Sequence, residues 1–362
     1  MTIVGHVLFP DPDGKSVLHH MMRWDAGWYM IIINDHYTQN AASAAFYPLF
    51  PAVVGSLSAL TLHVLSPSVM ALLLNVACLG LAIAALLAVA RHFGLTARVR
   101  YLCVALFLLS PAAFFMHQFY SETLFAALGF WAYVFALRRQ WLYMGILLAV
   151  LTAARLPALL FVGLCALEYL RAYDWNLKKA LNRKALTFLL APFGFIAYGL
   201  YLLAVRGDFL AMFSAYKATT DWTYHTFNPN FFSPIFHGAY EIILVIIGAL
   251  PLNSHFLVSV AIPLFSLTIL FTCSLYLIFK HRGAGIPLGV FGLVSIIFFT
   301  LNNNLISVHR YALPCLGIYI ALTLIYTHHK KLRPLVIATA IITTAIQILL
   351  VWWLYTTDKF VG

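Results

Sequence analysis

Five stretches of this chain are long enough to cross a lipid bilayer and carry no charged side chain: Ser66–Ala90, Ala185–Val205, His255–Phe279, Ala284–Val308 and Pro334–Thr357. A helix needs about 20 apolar residues to span the hydrocarbon. Shorter uncharged runs lie between them: Tyr101–Met116, Thr123–Leu137, Trp141–Ala154, Leu156–Leu167 and Tyr311–Thr327. In lipid every backbone polar group must be paired within its own segment or in a closed barrel. These runs are continuously apolar, without the period-2 alternation of a barrel strand. The expectation is an all-α integral membrane bundle of about 9–11 membrane segments.

Composition agrees. The chain is 63% hydrophobic and 9% charged, whereas a soluble domain carries about 25% charged residues. The net charge is +11, and the basic residues cluster in short loops: Arg91–Arg100, Arg138–Arg139, Arg171–Lys184, Lys280–Arg282 and Lys330–Arg333. The positive-inside rule places those loops on the cytoplasmic side. This accounts for the charge without nucleic acid, which is set aside as a partner. No linker and no fixed-period repeat divides residues 1–362, so a single domain is expected.

The alternating loops are then expected on the outer face. They are 117–122, the turn at Arg155–Pro157, the long loop 206–241 and 302–310. Phe46–Leu65, with Pro48 and Pro51, reads as interfacial or re-entrant. That leaves Met1–Ala45 outside as an outer-face region, ahead of a bundle over 46–357. The polar opening also raises the expectation of an upstream helix beyond this sequence. Trp141–Ala154 and Leu156–Leu167 are short for full spans at 1.5 Å per residue, and read as a broken or tilted pair meeting at Arg155.

Cys78, Cys103, Cys165, Cys273 and Cys315 all sit inside apolar runs and read as packing residues. The fourteen histidines are scattered. The pairs His19-His20 and His328-His329 are adjacent, and adjacent positions do not share a helix face. No metal site is expected.

Carboxylates are scarce. The outer-face candidates are Asp25, Asp35, Glu122, Asp221 and Glu241. Asp25 has the most distinctive setting, Arg23-Trp24-Asp25-Ala26-Gly27-Trp28-Tyr29. Aromatic walls raise a carboxylate's pKa and a nearby arginine lowers it. The pattern fits a general base beside a sugar or lipid. It equally fits one solvated Asp in an interfacial aromatic belt. Glu122, in His117-Gln118-Phe119-Tyr120-Ser121-Glu122, is either a functional acid at membrane depth or an acid favoured by a helix N-terminus. Arg155 interrupts an apolar stretch, and His309-Arg310-Tyr311 supplies a second cation. Each arginine reads as a phosphate ligand or as a snorkelling side chain.

Taken in order, these segments resemble a known family. Arg23–Tyr29, His36-Tyr37 and Ala45-Phe46-Tyr47-Pro48-Leu49-Phe50-Pro51 resemble the first luminal loop of the GPI mannosyltransferase 2 (PIG-V) family, with its RWDxxxY signature and aromatic run. Tyr120-Ser121-Glu122-Thr123-Leu124-Phe125 is similar to its YSESLF motif, with Thr123 in place of Ser. Ala153-Ala154-Arg155 resembles its membrane-embedded arginine motif, although Leu156-Pro157 departs from the usual followers. Arg310-Tyr311 with Pro314 resembles its late RYxxP motif.

The resemblance implies a GT-C glycosyltransferase, most simply a mannosyltransferase. Such an enzyme uses a polyprenyl-phosphate-sugar donor and a lipid, glycan or protein acceptor on the extracytoplasmic face, inverts the anomeric carbon, and needs no metal or other cofactor. Carried onto this chain, it implies Asp25 as the base and Glu122 positioning sugar or acceptor; Arg155 and Arg310 are expected at the donor phosphate on physical grounds more than by motif. Arg23, Trp24, Trp28, Tyr29, Tyr120 and Tyr311 complete the expected substrate-binding set. The short chain and the lack of an obvious first helix before Arg23–Tyr29 point to a prokaryotic plasma-membrane relative, with the endoplasmic reticulum membrane as the location in a eukaryote. The rival from another class is a transporter or flippase of a lipid-linked saccharide. It would show paired broken helices related by internal symmetry, which the sequence does not display.

Overall fold

The computed structural model describes residues 17–218, 227–357 and Val361. Among them the regular structure is helical, with one isolated bridge between Phe227 and Asn302. Four helical stretches are long and apolar enough to cross a membrane: Pro67–His92, Arg183–Arg206, Ser254–Lys280 and Lys330–Thr356. Six apolar helices are shorter: Leu49–Leu60, Glu122–Leu137, Trp141–Thr152, Ser233–Ile246, Gly285–Phe299 and Gly317–His328. Large apolar side chains such as Leu73, Val76 and Leu81 stand exposed on Pro67–His92. Water would not tolerate such a face, but lipid is as apolar as leucine. The chain is an integral membrane protein with an all-α fold.

Two expected elements differ from the sequence reading. Within Ala284–Val308 the long helix covers only Gly285–Phe299, and Val308 already opens the next short helix. The asparagines beyond it turn their side chains on nearby backbone: Asn302 Oδ1 accepts from Asn303 N (2.9 Å) and Asn304 Oδ1 from Ile306 N (3.0 Å). Such local bonds compete with helix. Likewise Glu241, expected in a loop, lies in Ser233–Ile246, where Pro234 occupies the first turn of the helix.

The described residues form two compact units, 17–89 with 115–218, and 90–114 with 227–357 and Val361. In the first unit, α1 (Asp25–Asp35) ends at His36 and Tyr37, both at positive φ, and is followed by α2 (Leu49–Leu60) and α3 (Pro67–His92). Then come α4 (Glu122–Leu137), α5 (Trp141–Thr152), α6 (Ala158–Ala172) and α7 (Phe193–Arg206). The indole of Trp131 on α4 donates to the carbonyl of Leu81 on α3 (2.9 Å). α5 and α6 are the expected broken pair. Pro157 cannot donate to a helix ladder and disfavours helical backbone before it, so 153–157 is a turn carrying Arg155. Two glycines allow close crossings. A Cβ on Gly129 would lie 2.6 Å from the Phe161 ring, and one on Gly194 would lie 2.1 Å from the Ala149 carbonyl oxygen.

In the second unit, α8 (Ile262–Lys280) and α9 (Gly285–Phe299) form a hairpin, and α10 (Gly317–His328) packs with it. The preceding helix Ala97–Leu108 joins α10 through Phe107 and Tyr319, whose rings meet edge to face at 5.1 Å. On α11 (Arg333–Thr356), Gln347 donates to the carbonyl of Leu108 (3.3 Å). All five cysteines are buried thiols.

Candidate active site

Asp25 is the first residue of α1. The residue before it, Trp24, has φ 54° and ψ −117°. A bulky side chain at positive φ is strained, and such strain persists only where surrounding structure imposes it. Here the surroundings do so. Tyr120 Oη donates to the Arg23 carbonyl (3.1 Å), and the amide of Phe119 donates to the Met21 carbonyl (3.3 Å). The turn before α4 therefore grips the backbone that delivers Asp25.

Four positions along α1, one helical turn on from Asp25, Tyr29 lies on the same side. Its ring is buried between Phe46 (5.5 Å) and Phe50 (5.2 Å), and Trp28 stacks on Phe46 (5.8 Å, 14° between planes). The Tyr29 hydroxyl lies 2.8 Å from Ser121 Oγ. Ser121 precedes α4 but does not cap it, because its oxygen is turned to Tyr29. Arg155 Nη1 reaches Ser121 Oγ at 3.5 Å and forms an ion pair with the Glu122 carboxylate. Glu122 is 2% exposed and Arg155 16%. The turn holding Arg155 is itself tied to the first loop, since Leu49 N donates to the Ala153 carbonyl (3.1 Å).

Burial pushes the Tyr29 phenol well above its ordinary value; the Arg155 charge opposes the shift, and Glu122 and Asp25 add to it. Tyr29 thus lies within electrostatic reach of Arg155, Glu122 and Asp25, and stays a neutral hydrogen-bonding group at physiological pH.

The other carboxylates expected on the outer face are engaged differently. Asp35 accepts from the amides of Tyr37 (2.9 Å) and Asn40 (3.4 Å), closing the turn after α1. Glu241 pairs with His237 (2.9 Å) in the second unit. Asp221 lies outside the described residues. Arg310 and Tyr311 also belong to the second unit, on the short helix Val308–Tyr311; Arg310 is buried, with its guanidinium 5.5 Å from the Tyr311 ring centre. Of the residues singled out from the sequence, the structure brings Arg23, Trp24, Asp25, Trp28, Tyr29, Tyr120, Glu122 and Arg155 together in one unit. Ser121 and Phe46, given no role by sequence reasoning, join them. Their signal was present, because both lie inside the motifs that carry Glu122 and Tyr47. Among the described residues no group of three His, Cys, Asp or Glu side chains is arranged to hold a metal ion.

The sequence profile of the mannosyltransferase (PIG-V) family matches residues 12–228, well over half of the 362. The chain belongs to the PIG-V mannosyltransferase family. No curated protein matches it significantly by sequence. The segment that matches the PIG-V family contains all eight residues that cluster in the first unit, together with Ser121 and Phe46. Arg310 and Tyr311 lie beyond it.

Proposed function

We propose that this membrane glycosyltransferase moves mannose from a polyprenyl-phosphate donor to a hydroxyl of a lipid, glycan or protein acceptor on the extracytoplasmic face, the acceptor oxygen attacking the anomeric carbon from the side opposite the phosphate. The observation that carries the reading is that the helix beginning at Asp25 is tied, through Tyr29 one turn on, to Ser121 and so to the Arg155–Glu122 pair. A carboxylate and a guanidinium are carried on elements that hydrogen bonds tie together, an arrangement that suits general-base displacement of a phosphate.

Asp25 takes the proton of the acceptor hydroxyl as the acceptor oxygen bonds to C1 of mannose. The bond from C1 to the phosphate oxygen breaks, its electron pair leaves on the polyprenyl phosphate, and the configuration at C1 inverts. Arg155 steadies the developing phosphate charge. A guanidinium has five N–H donors in a fork, enough to hold Glu122 and a phosphate oxygen together. Glu122 sets the direction of that fork. Trp24 and Trp28 supply the apolar wall against which a sugar face packs. The GT-C architecture, the single-domain organisation and a prokaryotic plasma-membrane location belong to the same reading.

The test is donor choice in purified, lipid-reconstituted protein. Label is expected to pass to acceptor from polyprenyl-phosphate mannose and not from a nucleotide sugar. Transfer from the nucleotide sugar alone would overturn the donor assignment.

A further inference from the structure

Asn75 is an amide in the midst of an uncharged membrane helix. It lies on α3, whose polar side chains between Ser68 and Arg91 are otherwise limited to the thiol of Cys78. It is fully buried at 0% exposure. A buried amide is costly unless it is hydrogen-bonded; the hydrogens of Asn75 are used, while its Oδ1 is buried without a hydrogen-bond partner among the described residues. Its Nδ2 donates to the carbonyl of Gln118 (2.6 Å) and to that of Tyr120 (3.3 Å). Both neighbours are acceptors, which fixes the amide's orientation.

The two carbonyls belong to the non-helical turn between the short 3-10 helix Ala113–His117 and α4. Beyond Asn75, that turn is held locally by the bond from Tyr120 N to Gln118 O (2.8 Å). On its far side it carries Ser121 and Glu122, which meet Tyr29 and Arg155. It also carries the Phe119 amide and the Tyr120 hydroxyl, which hold Met21 and Arg23 ahead of Asp25. One amide therefore stands behind both halves of the candidate site.

We propose that Asn75 is a positioning residue for mannosyl transfer, holding the 118–121 turn in the one register that presents Glu122 to Arg155 and Arg23–Asp25 to the acceptor. The inference rests on the reading of function above. Asn75 touches no substrate. Its effect reaches the reaction through the turn, so its loss should weaken turnover more than donor binding. A displacement of about 1 Å in such a support can cost a hundredfold in rate.

The experiment pairs a structural readout with kinetics in the full chain, reconstituted in lipid. Met21→Cys and Phe119→Cys place a disulfide reporter across the turn. Asn75→Leu, close in size but without donors, should lower the cross-linking yield severalfold. Without the two reporter cysteines, it should lower kcat by about tenfold or more, with the donor KM within about twofold. Asn75→Gln, which keeps the amide, should recover part of both. Should Asn75→Leu fail to insert, Asn75→Asp keeps the shape and, when protonated, one donor. Its turnover should fall more steeply with rising pH than that of the unaltered enzyme, as the carboxyl ionises against two carbonyl oxygens. Unchanged cross-linking and kcat in Asn75→Leu, or an unchanged pH profile in Asn75→Asp, would overturn the proposal. If the unaltered protein transfers no mannose, the functional reading falls, and the cross-link alone still decides whether Asn75 holds the turn.

Discussion

Arg155 and Glu122 are 33 positions apart in sequence and form an ion pair, buried on the Glu122 side and half-buried on the Arg155 side, where the turn between α5 and α6 meets the start of α4. Removing one partner of such a pair leaves an uncompensated charge, which costs about 3–5 kcal/mol. Arg155→Ala should therefore lower thermal stability strongly, because it strands the buried Glu122 carboxylate, and Glu122→Ala somewhat less, because the Arg155 left behind retains solvent contact. Replacing both with glutamine should recover part of the loss. A double-mutant cycle on detergent-solubilised protein measures this, and purely additive effects would show that the pair is not coupled. In the reconstituted enzyme, Arg155→Ala should also raise the donor KM; an unchanged KM would remove Arg155 from the phosphate role.

Tyr29 reaches Ser121 through one hydroxyl. Tyr29→Phe leaves the ring between Phe46 and Phe50 and deletes that bond, at a cost of about 1 kcal/mol. Turnover should fall about tenfold, as expected for a slackened support. Because burial raises the phenol above its ordinary value, it stays protonated through pH 6–9, and the pH–rate profile of Tyr29→Phe should keep its shape. A displaced alkaline limb would show that the phenol titrates during turnover.

The crossing of α5 and α7 depends on Gly194, where a Cβ would press on the Ala149 carbonyl oxygen. Gly194→Ala should destabilise by about 1–3 kcal/mol through forced backbone shifts. Gly80→Ala, where a Cβ meets nothing within 4 Å, serves as the control and should be neutral or mildly stabilising. Thermal melts of the two variants compare them directly; equal melting temperatures would contradict the packing described here.

Much of this was legible in the sequence, because a membrane imposes strong rules. Charge-free runs became helices where nothing interrupted them, as in Pro67–His92. The break at Arg155 followed from Pro157. Where asparagines could bond their own backbone, in 302–304, the apolar run ended early. The site was legible in part. Asp25, Tyr29, Glu122 and Arg155 stood out as rare polar groups among apolar and aromatic ones. Ser121 did not, since a serine before a helix reads as a cap, and only the fold turns its oxygen to Tyr29. Asn75 was equally silent, because its partners are backbone carbonyls 43 and 45 positions away, and no side-chain pattern records them.

The role of Asp25 is tested most directly by transfer of radiolabelled mannose from polyprenyl-phosphate mannose into membranes holding either the unaltered protein or Asp25→Asn. Asparagine keeps the shape of the side chain and cannot accept the proton. The expected result is product from the unaltered protein and a rate lower by about 10²–10⁴ in Asp25→Asn, with the variant equally abundant and folded. Transfer by Asp25→Asn at the unaltered rate would contradict the assignment of Asp25 as the base.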